Sequence, residues 1–209
     1  MARSIRRFTL LLLVCFGPAV SGDEPVAGRD YTELSPPSET STLDRIEVLE
    51  FFLYQCPHCD HFHGAFDAWT AKLPANIDWR REPVVFSRVP WEASARAFHA
   101  LTAMGKIDAL NGAIFDAIHR QGIALESEAA ITSWVTNHGI DADAFKTAYR
   151  DAREPLVKGQ ELAQRFKIPS VPSIVIAGRY LVAIHDSPDY GPQLRVVDAL
   201  IERARTTKH

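Results

Sequence analysis

The stretch IEVLEFFLYQCPHC, residues 46–59, decides the fold. Its first part belongs to a nearly continuous apolar, β-prone run from Arg45 to Tyr54, which predicts a strand buried on both faces of a sheet. Glu50 interrupts this run. A carboxylate at that depth is costly unless a partner or a proton neutralises it, so a role or a partner is expected at this position.

The run leads into a predicted helix that begins at the CPHC motif, residues 56–59. Phe62, Phe66 and Trp69 recur at helical spacing. Pro57 suits the first position of a helix, because a backbone N–H there would have no partner within the helix. The turn between the strand and the helix therefore carries both thiols.

Two cysteines at this spacing can close a small disulfide ring. A helix that begins at Cys56 directs its positive dipole end and its free N–H groups at that sulfur, which favours the thiolate. His58 can add a hydrogen bond or a positive charge, while Pro57 restricts the turn and supplies no competing N–H. Cys59 lies one turn into the helix and is expected to be the less exposed partner. A lowered thiol pKa stabilises the reduced pair, so the disulfide becomes a stronger oxidant.

Outside this stretch the chain changes between β and helical patterns. Ile77–Phe86 predicts a second strand, and Pro83 within it indicates an edge or broken element. From about residue 88 to 166, aromatic and aliphatic residues recur at helical spacing, which predicts a set of short helices. Ser173–Ile176 and Tyr180–Ile184 then flank a glycine turn typical of a hairpin, and a C-terminal helix follows. The expected architecture is an α/β fold with an inserted helical block.

The N-terminal residues 1–22 are interpreted as a secretory signal peptide. Three arginines precede an apolar run, Phe8–Phe16, that is too short to span a bilayer as a mature helix, and small residues follow near Ser21. A retained membrane anchor is the alternative. Cys15 lies inside the apolar run and is expected to be removed with it. Residues 23 to about 42 are polar and turn-rich, which predicts an extended arm.

Removing this leader leaves an acidic chain. Three of the 23 basic residues lie in the leader, so 20 remain against 26 acidic residues and the net charge becomes −6. An acidic chain without a lysine or arginine cluster gives no electrostatic reason to expect nucleic acid or anionic lipid as a partner. Only Cys56 and Cys59 remain as cysteines, so no structural disulfide framework is expected.

Metal binding is the main non-enzymatic alternative, because metal sites use the same cysteine spacing. His58, His61 and His63 lie close by, so zinc and copper have to be weighed. The mature chain lacks a distant cysteine for a second half of the ligand set, and we expect no metal. Asp60 stands where c-type haem attachment needs a histidine. We interpret His61 and His63 as solvated helix residues.

Three features together resemble a known family. They are the strand Val48–Phe52 leading into the CPHC motif, the helical insertion, and the sequence Ser170-Val171-Pro172 before a β hairpin. These features are similar to the DsbA family of periplasmic thiol:disulfide oxidoreductases, and the resemblance covers nearly the whole mature chain. It implies a thioredoxin-like fold with an inserted helical domain. Residues 23–87 and 159–209 would form the thioredoxin-like domain, and residues 88–158 the insertion.

The resemblance also implies an activity and partners. A dithiol oxidase of this kind introduces disulfide bonds into unfolded or reduced secreted proteins through the Cys56–Cys59 disulfide. A DsbB-like, quinone-linked membrane oxidase would reoxidise it. No cofactor is expected, because the cysteine pair itself holds the electrons. The expected localisation is the periplasm.

Further site residues come from the same resemblance. Pro172 is implied to be a cis proline beside the active disulfide, and Val171 to pair its backbone with substrate, with Pro169 as a competing candidate for the cis bond. Glu50 is implied to lie below Cys59 and to assist proton transfer. His63 departs from the family pattern, because the best known relatives carry an acid there.

Two alternatives stay open at this stage. A periplasmic reductase or isomerase would use the same fold and attack geometry with a less oxidising dithiol, although the Pro57-His58 dipeptide argues against it. A metal-binding protein would use Cys56, Cys59 and a nearby histidine.

Overall fold

The computed structural model describes residues 24–37 and 45–207. The predicted signal peptide and its cleavage site lie outside these residues. The strands are β1 (Thr32–Glu33), β2 (Ile46–Phe52), β3 (Ile77–Pro83), β4 (Ser173–Ile176) and β5 (Tyr180–Ala183). The helices are α1 (Pro57–Thr70), α2 (Val89–Ala103), α3 (Ile107–His119), α4 (Glu128–Asn137), α5 (Ala142–Asp151), α6 (Arg153–Arg165) and α7 (Gly191–Thr207).

The strands form one mixed sheet in the order β1-β5-β4-β2-β3. β2 lies inside the sheet, parallel to β3 and antiparallel to β4. β3 is an edge strand, as Pro83 predicts, because an edge position does not require a donor from every residue. The α/β fold class predicted from the sequence is confirmed.

β2 is buried at all seven positions, as its apolar run predicts. Val48 points to one face of the sheet, where it packs in a core that includes Phe62 of α1 and Val197 of α7. Leu49 and Phe51 point to the opposite face and pack against Phe166. Burying such side chains contributes roughly 1.5–3 kcal/mol each, so this strand anchors the sheet from both sides.

The five helices α2 to α6 lie between β3 and β4 in the chain, and α2 to α5 share a core that also includes Phe52, Tyr54 and Cys59. The longest predicted helical region therefore matches the observed helices. α6 continues across residue 158, the predicted end of the insertion, and packs on β3. The boundaries of the inserted domain stay predictions.

The hairpin between β4 and β5 has the turn that its sequence predicts. Ala177 and Gly178 both have left-handed φ values, 51° and 61°, which are common in tight hairpin turns. The Arg179 N–H closes the turn by donating to the Ile176 carbonyl at 2.9 Å. The N-terminal arm adds a feature that the sequence did not predict, because β1 pairs with β5 and becomes the other edge of the sheet.

Glu82 of β3 is a buried acid at the junction between the sheet and the helices. A side chain at Gly159 of α6 would collide with its carboxyl group, which explains a glycine inside that helix. His99 Nε2 lies 3.4 Å from one carboxyl oxygen, and Arg80 lies 3.8 Å from the other. Burial raises the pKa of Glu82 to about 7; Arg80 opposes this rise and Glu47 adds to it.

Glu82→Gln is expected to remove a pH-dependent loss of stability. The folded pKa of Glu82 lies above its ordinary value, so its contribution to stability is present at low pH and is lost as pH rises through about 7. As pH rises from about 5 to about 8.5, the free energy of unfolding of the glutamine variant should therefore increase by about 1 to 3 kcal/mol relative to that of the wild type. Urea unfolding at both pH values measures this difference. Parallel stability curves for the two proteins would contradict the assignment.

Candidate active site

Cys56 and Cys59 lie at the start of α1, shortly after the end of β2. Cys56 is the N-cap residue of α1, with extended backbone angles, and Pro57 is the first helical residue. The N–H groups of Cys59 and Asp60 both donate to the Cys56 carbonyl at 3.1 Å. Cys56 is partly exposed, whereas Cys59 is 1% exposed, and both are free thiols in this structure.

The two thiols have opposite acidity. The pKa of Cys56 is lowered to about 6, first because the Cys59 thiol donates a hydrogen bond to it, although partial burial opposes this effect. The backbone N–H groups of Cys59 and His58 and the charge of His58 lower it further. Burial, followed by the hydrogen bond to Cys56 and its charge, raises the pKa of Cys59. Cys56 is therefore the sulfur that carries a negative charge at neutral pH.

His58→Ala is expected to raise the pKa of Cys56. The substitution removes the charge of the ring but keeps the backbone N–H, so the rise should be small beside the contribution of the Cys59 hydrogen bond. The ultraviolet absorbance of the thiolate, followed against pH, measures the change. His61→Ala is the matched control, because His61 is exposed on the same helix and pairs with Asp186 at 3.1 Å. An equal rise in both variants would contradict a specific role for His58.

Glu50 has a buried partner that the sequence did not reveal. Its carboxylate accepts a hydrogen bond from Arg81 Nε at 2.6 Å, and Arg81 Nη2 donates to Asp67 at 2.7 Å. Burial raises the pKa of Glu50, while the charge and hydrogen bond of Arg81 oppose the rise. Glu50 in turn contributes to the raised pKa of Cys59. An ionisable group thus lies within electrostatic reach of the buried thiol.

His63 differs from its prediction. Only 17% of its side chain is exposed, and its ring stacks on Phe115 of α3 at 4.7 Å. It lies between Asp60 and Asp67, at 3.9 and 3.8 Å. The interpretation of His63 as a solvated helix residue was wrong, because α3 covers that face of α1. His61 is exposed, as predicted.

The loop before β4 brings two more predicted residues to the thiols. The Val171 carbonyl oxygen lies 3.5 Å from Cys56 Sγ. The peptide bond between Val171 and Pro172 is cis, while that before Pro169 is not. Pro172 is buried, and its carbonyl accepts a hydrogen bond from the Ile184 N–H at 3.0 Å.

The helical region also holds the turn that carries Cys56. His119 Nε2 lies 2.7 Å from the Tyr54 carbonyl oxygen, so it donates a hydrogen bond to it. The Tyr54 hydroxyl donates to Asn111 Oδ1 at 2.8 Å, and Gln55 contacts Ser94 at 3.0 Å. Sequence periodicity predicted the helices but gave no sign of these contacts.

No group of three or more His, Cys, Asp and Glu side chains within residues 24–37 and 45–207 is placed to hold a metal ion. Within the same ranges, every helix is too short or too polar to cross a bilayer.

A thioredoxin-like sheet, a reactive cysteine at a helix N-terminus and a cis-proline loop beside it define a thiol:disulfide oxidoreductase of the thioredoxin class. Comparisons with known proteins agree with this class. A family described as DSBA-like thioredoxin domain matches residues 83–191. The thiol:disulfide interchange protein DsbA of Azotobacter vinelandii is 36% identical over 87% of this chain and 85% of the relative. The thiol:disulfide interchange protein DsbA of Pseudomonas aeruginosa PAO1 is 31% identical over 94% of this chain and 93% of the relative.

Solved structures lead to the same family. The crystal structure of Pseudomonas aeruginosa DsbA has a TM-score of 0.82 and 31% identity, covering 88% of this chain and 96% of that one. The oxidoreductase DsbA from Xylella fastidiosa has a TM-score of 0.80 and 29% identity, covering 88% of this chain and 100% of that one. The chain belongs to the DsbA family and is a thiol:disulfide oxidoreductase that acts on substrate proteins.

Proposed function

We propose that the chain introduces disulfide bonds into secreted proteins in the periplasm, with Cys56 and Cys59 as its redox-active pair. The observation that carries the proposal is the asymmetry of the two thiols. The pKa of Cys56 is lowered to about 6, while Cys59 is buried and its pKa is raised. A stable thiolate favours the reduced pair, so the pair in its disulfide form accepts electrons readily.

The reaction begins with the oxidised pair. A substrate thiolate attacks the Cys56 sulfur, so a substrate–Cys56 disulfide forms and the bond to Cys59 breaks. Cys59 takes the released electron pair and then a proton, because its burial favours the neutral thiol. A second substrate thiolate attacks the substrate sulfur of the mixed disulfide and releases Cys56 as a thiolate. The substrate loses two electrons and two protons overall, and the enzyme becomes a dithiol.

Five further residues support these steps. Glu50 exchanges the proton that Cys59 gains or loses, since a buried carboxyl with a raised pKa can hold a proton at this depth. His58 stabilises the Cys56 thiolate through its charge and its backbone N–H. Val171 offers its backbone to an extended substrate segment beside Cys56, and such pairing tolerates many sequences. Pro57 begins the helix, and Pro172 fixes the loop without a competing N–H.

A partner protein must take the two electrons before the next cycle. We propose a DsbB-like membrane protein that passes them to a quinone. Reoxidation then runs as the reverse exchange, in which Cys56 attacks the partner's disulfide and Cys59 completes the new bond.

The reduction potential of the Cys56–Cys59 pair tests this function. Equilibration of the purified protein with glutathione buffers, followed by alkylation of free thiols, gives the potential directly. An oxidase is expected to have a potential well above that of the glutathione pair, so it should stay reduced in mildly oxidising buffer. A potential below that of glutathione would favour the reductase alternative, and tight zinc binding by the reduced pair would favour the metal-binding alternative.

A further inference from the structure

The C-terminal end of α3 contacts the segment that carries the two thiols. His119 is the last residue of α3, and its Nε2 atom lies 2.7 Å from the Tyr54 carbonyl oxygen, two residues before the first thiol. Arg120, the next residue, lies 3.1 Å from Asp60, directly after the second thiol. Two adjacent residues at the end of one helix therefore hold the chain on both sides of the dithiol.

Residues 53–56 form a tight turn that leads into α1, and we call it the dithiol turn. The Cys56 N–H closes it by donating to the Leu53 carbonyl at 3.1 Å. The Tyr54 carbonyl belongs to the central peptide of this turn, the group whose orientation distinguishes type I from type II turns. Because His119 binds this carbonyl, it fixes the orientation of the central peptide.

The hydrogen bond from His119 has a defined direction and a buried acceptor. A carbonyl oxygen only accepts, so Nε2 of His119 carries the proton. Tyr54 is 1% exposed, so loss of this donor would leave a buried backbone acceptor without this partner, which is costly. The His119 ring also stacks on Phe115 of α3, with 6.3 Å between the ring centres. Both contacts hold the ring beside the dithiol turn.

Further contacts of the dithiol turn come from the same helical region. The Tyr54 hydroxyl donates to Asn111 of α3 at 2.8 Å, and the Gln55 side chain contacts Ser94 of α2 at 3.0 Å. Both central residues of the turn are thus tied to the inserted helices. The contact from His119 acts on the backbone of the turn, so it bears directly on the path of the chain into α1.

The position of Cys56 decides how well its sulfur is stabilised. Cys56 is the N-cap residue of α1, and the Cys59 thiol and the backbone N–H groups of Cys59 and His58 all favour its thiolate. These donors belong to the first turn of α1, whereas the dithiol turn brings the chain to Cys56. Hydrogen bonds weaken steeply as their geometry worsens, so a small rotation of the dithiol turn would weaken this set of contacts.

We propose that His119 is a positioning residue for the dithiol, because its hydrogen bond to Tyr54 holds the dithiol turn so that Cys56 meets the donors at the start of α1. This inference rests on the proposed function and gives the inserted helices a part in the redox reaction. The reduced pair gains most from the arrangement, since a thiolate is a much better acceptor than a neutral disulfide sulfur. Loss of the hydrogen bond should therefore make the pair a weaker oxidant.

Two variants separate the hydrogen bond from the shape of the ring. His119→Phe keeps an aromatic ring against Phe115 but has no donor. His119→Gln loses the ring but can place an amide N–H near the same carbonyl. For each purified variant, the reduction potential is measured in glutathione buffers, and the pKa of Cys56 is measured from the ultraviolet absorbance of the thiolate.

The phenylalanine variant should shift both measurements. Its equilibrium with glutathione should move about two- to tenfold toward the disulfide form, which is the range that one hydrogen bond provides. The pKa of Cys56 should rise by about 0.3 to 1 unit, the same factor expressed as acidity. His119→Gln should restore most of both values, because it replaces the donor.

His138→Phe is the matched control. His138 is the C-cap residue of α4, its Nδ1 atom lies 2.8 Å from the Trp134 carbonyl oxygen, and its ring stacks on Trp134 at 3.9 Å. This variant also exchanges a histidine for a ring without a donor, but it leaves the dithiol turn intact. It should lower the free energy of unfolding and leave the potential and the pKa of Cys56 unchanged.

The outcomes separate this inference from the function on which it rests. A folded His119→Phe protein with wild-type potential and pKa would overturn the positioning role and leave the oxidase intact. Equal shifts in the phenylalanine and glutamine variants would assign the effect to the ring and would also overturn it. If His119→Phe does not fold, His119→Asn gives the same comparison with His119→Gln, because its shorter amide falls short of the carbonyl. A wild-type potential below that of glutathione would overturn the proposed function itself.

Discussion

Replacing Cys56 with serine is expected to abolish the oxidation of reduced test proteins. The enzyme would then lack both the electrophilic disulfide and the low-pKa thiolate that leaves when the substrate's second cysteine attacks. The remaining thiol, Cys59, is 1% exposed and its pKa is raised, so it cannot take over at neutral pH. The expected loss is at least about a thousandfold, since the residual rate is that of uncatalysed exchange. Reactivation of a reduced, unfolded enzyme by catalytic amounts of the variant measures it.

Cys59→Ser is expected to fail in turnover in a different way. Cys56 keeps its exposed sulfur, and with an activated disulfide substrate it forms a mixed disulfide that no internal thiol can resolve. Non-reducing gels should therefore show trapped complexes with Cys59→Ser and none with Cys56→Ser. The double variant is the control for non-specific disulfides. Full oxidase activity in either single variant would contradict the dithiol mechanism.

Residues 46–59 were sufficient to predict a buried strand, the start of the following helix and the positions of both thiols, because two strong local signals meet there. One signal is an apolar run typical of a strand buried on both faces, and the other is a helix that begins at a cysteine. Both can be recognised from consecutive residues. The hairpin turn at Ala177 and Gly178 was predictable for the same reason, since its left-handed conformations depend on two adjacent residues. Local chemistry of this kind needs no knowledge of tertiary packing.

The partner of Glu50 could not be found in this way. Arg81 lies 31 residues further along the chain, and it meets Glu50 because the parallel register of β2 and β3 pairs the two residues directly. A shift of one residue would have turned Arg81 to the other face of the sheet. The sequence predicted that the buried acid Glu50 needs a partner or a role, but only the strand register identifies Arg81 as the partner.

The error at His63 has a similar cause. Helical spacing predicts which residues share a face of α1, but it does not predict which faces a neighbouring helix covers. α3 packs on α1 and places Phe115 against the His63 ring, while His119 of the same helix contacts the Tyr54 carbonyl. The inserted helices thus form part of the wall around the dithiol, a relation that arises from packing between distant segments.

The reduced protein is expected to be more stable than the oxidised protein at neutral pH. The folded pKa of Cys56, about 6, lies below the ordinary value for a thiol, so the reduced fold favours the thiolate. This contribution is fully present above the unfolded pKa of about 8.5 and is lost as pH falls through about 6. The oxidised protein has no thiolate and lacks this dependence. Paired denaturant melts of the two forms at a series of pH values measure the difference.

The pH dependence separates the thiolate from the other effects of the disulfide. The disulfide between Cys56 and Cys59 closes a short loop, which restricts the unfolded chain equally at every pH. It therefore shifts the free energy of unfolding of the oxidised protein by the same amount at every pH and does not change its slope against pH. Between pH about 6 and about 8.5 the unfolded reduced chain binds one proton more than the folded one, so the reduced form should gain up to about 1.4 kcal/mol per pH unit over the oxidised form. His58→Ala should narrow the range of pH in which the reduced form gains stability, because the substitution raises the pKa of Cys56 in the folded protein. A stability difference that stays constant over the whole range would mean that the fold does not favour the Cys56 thiolate, and the oxidising character proposed for the pair would lose its physical basis.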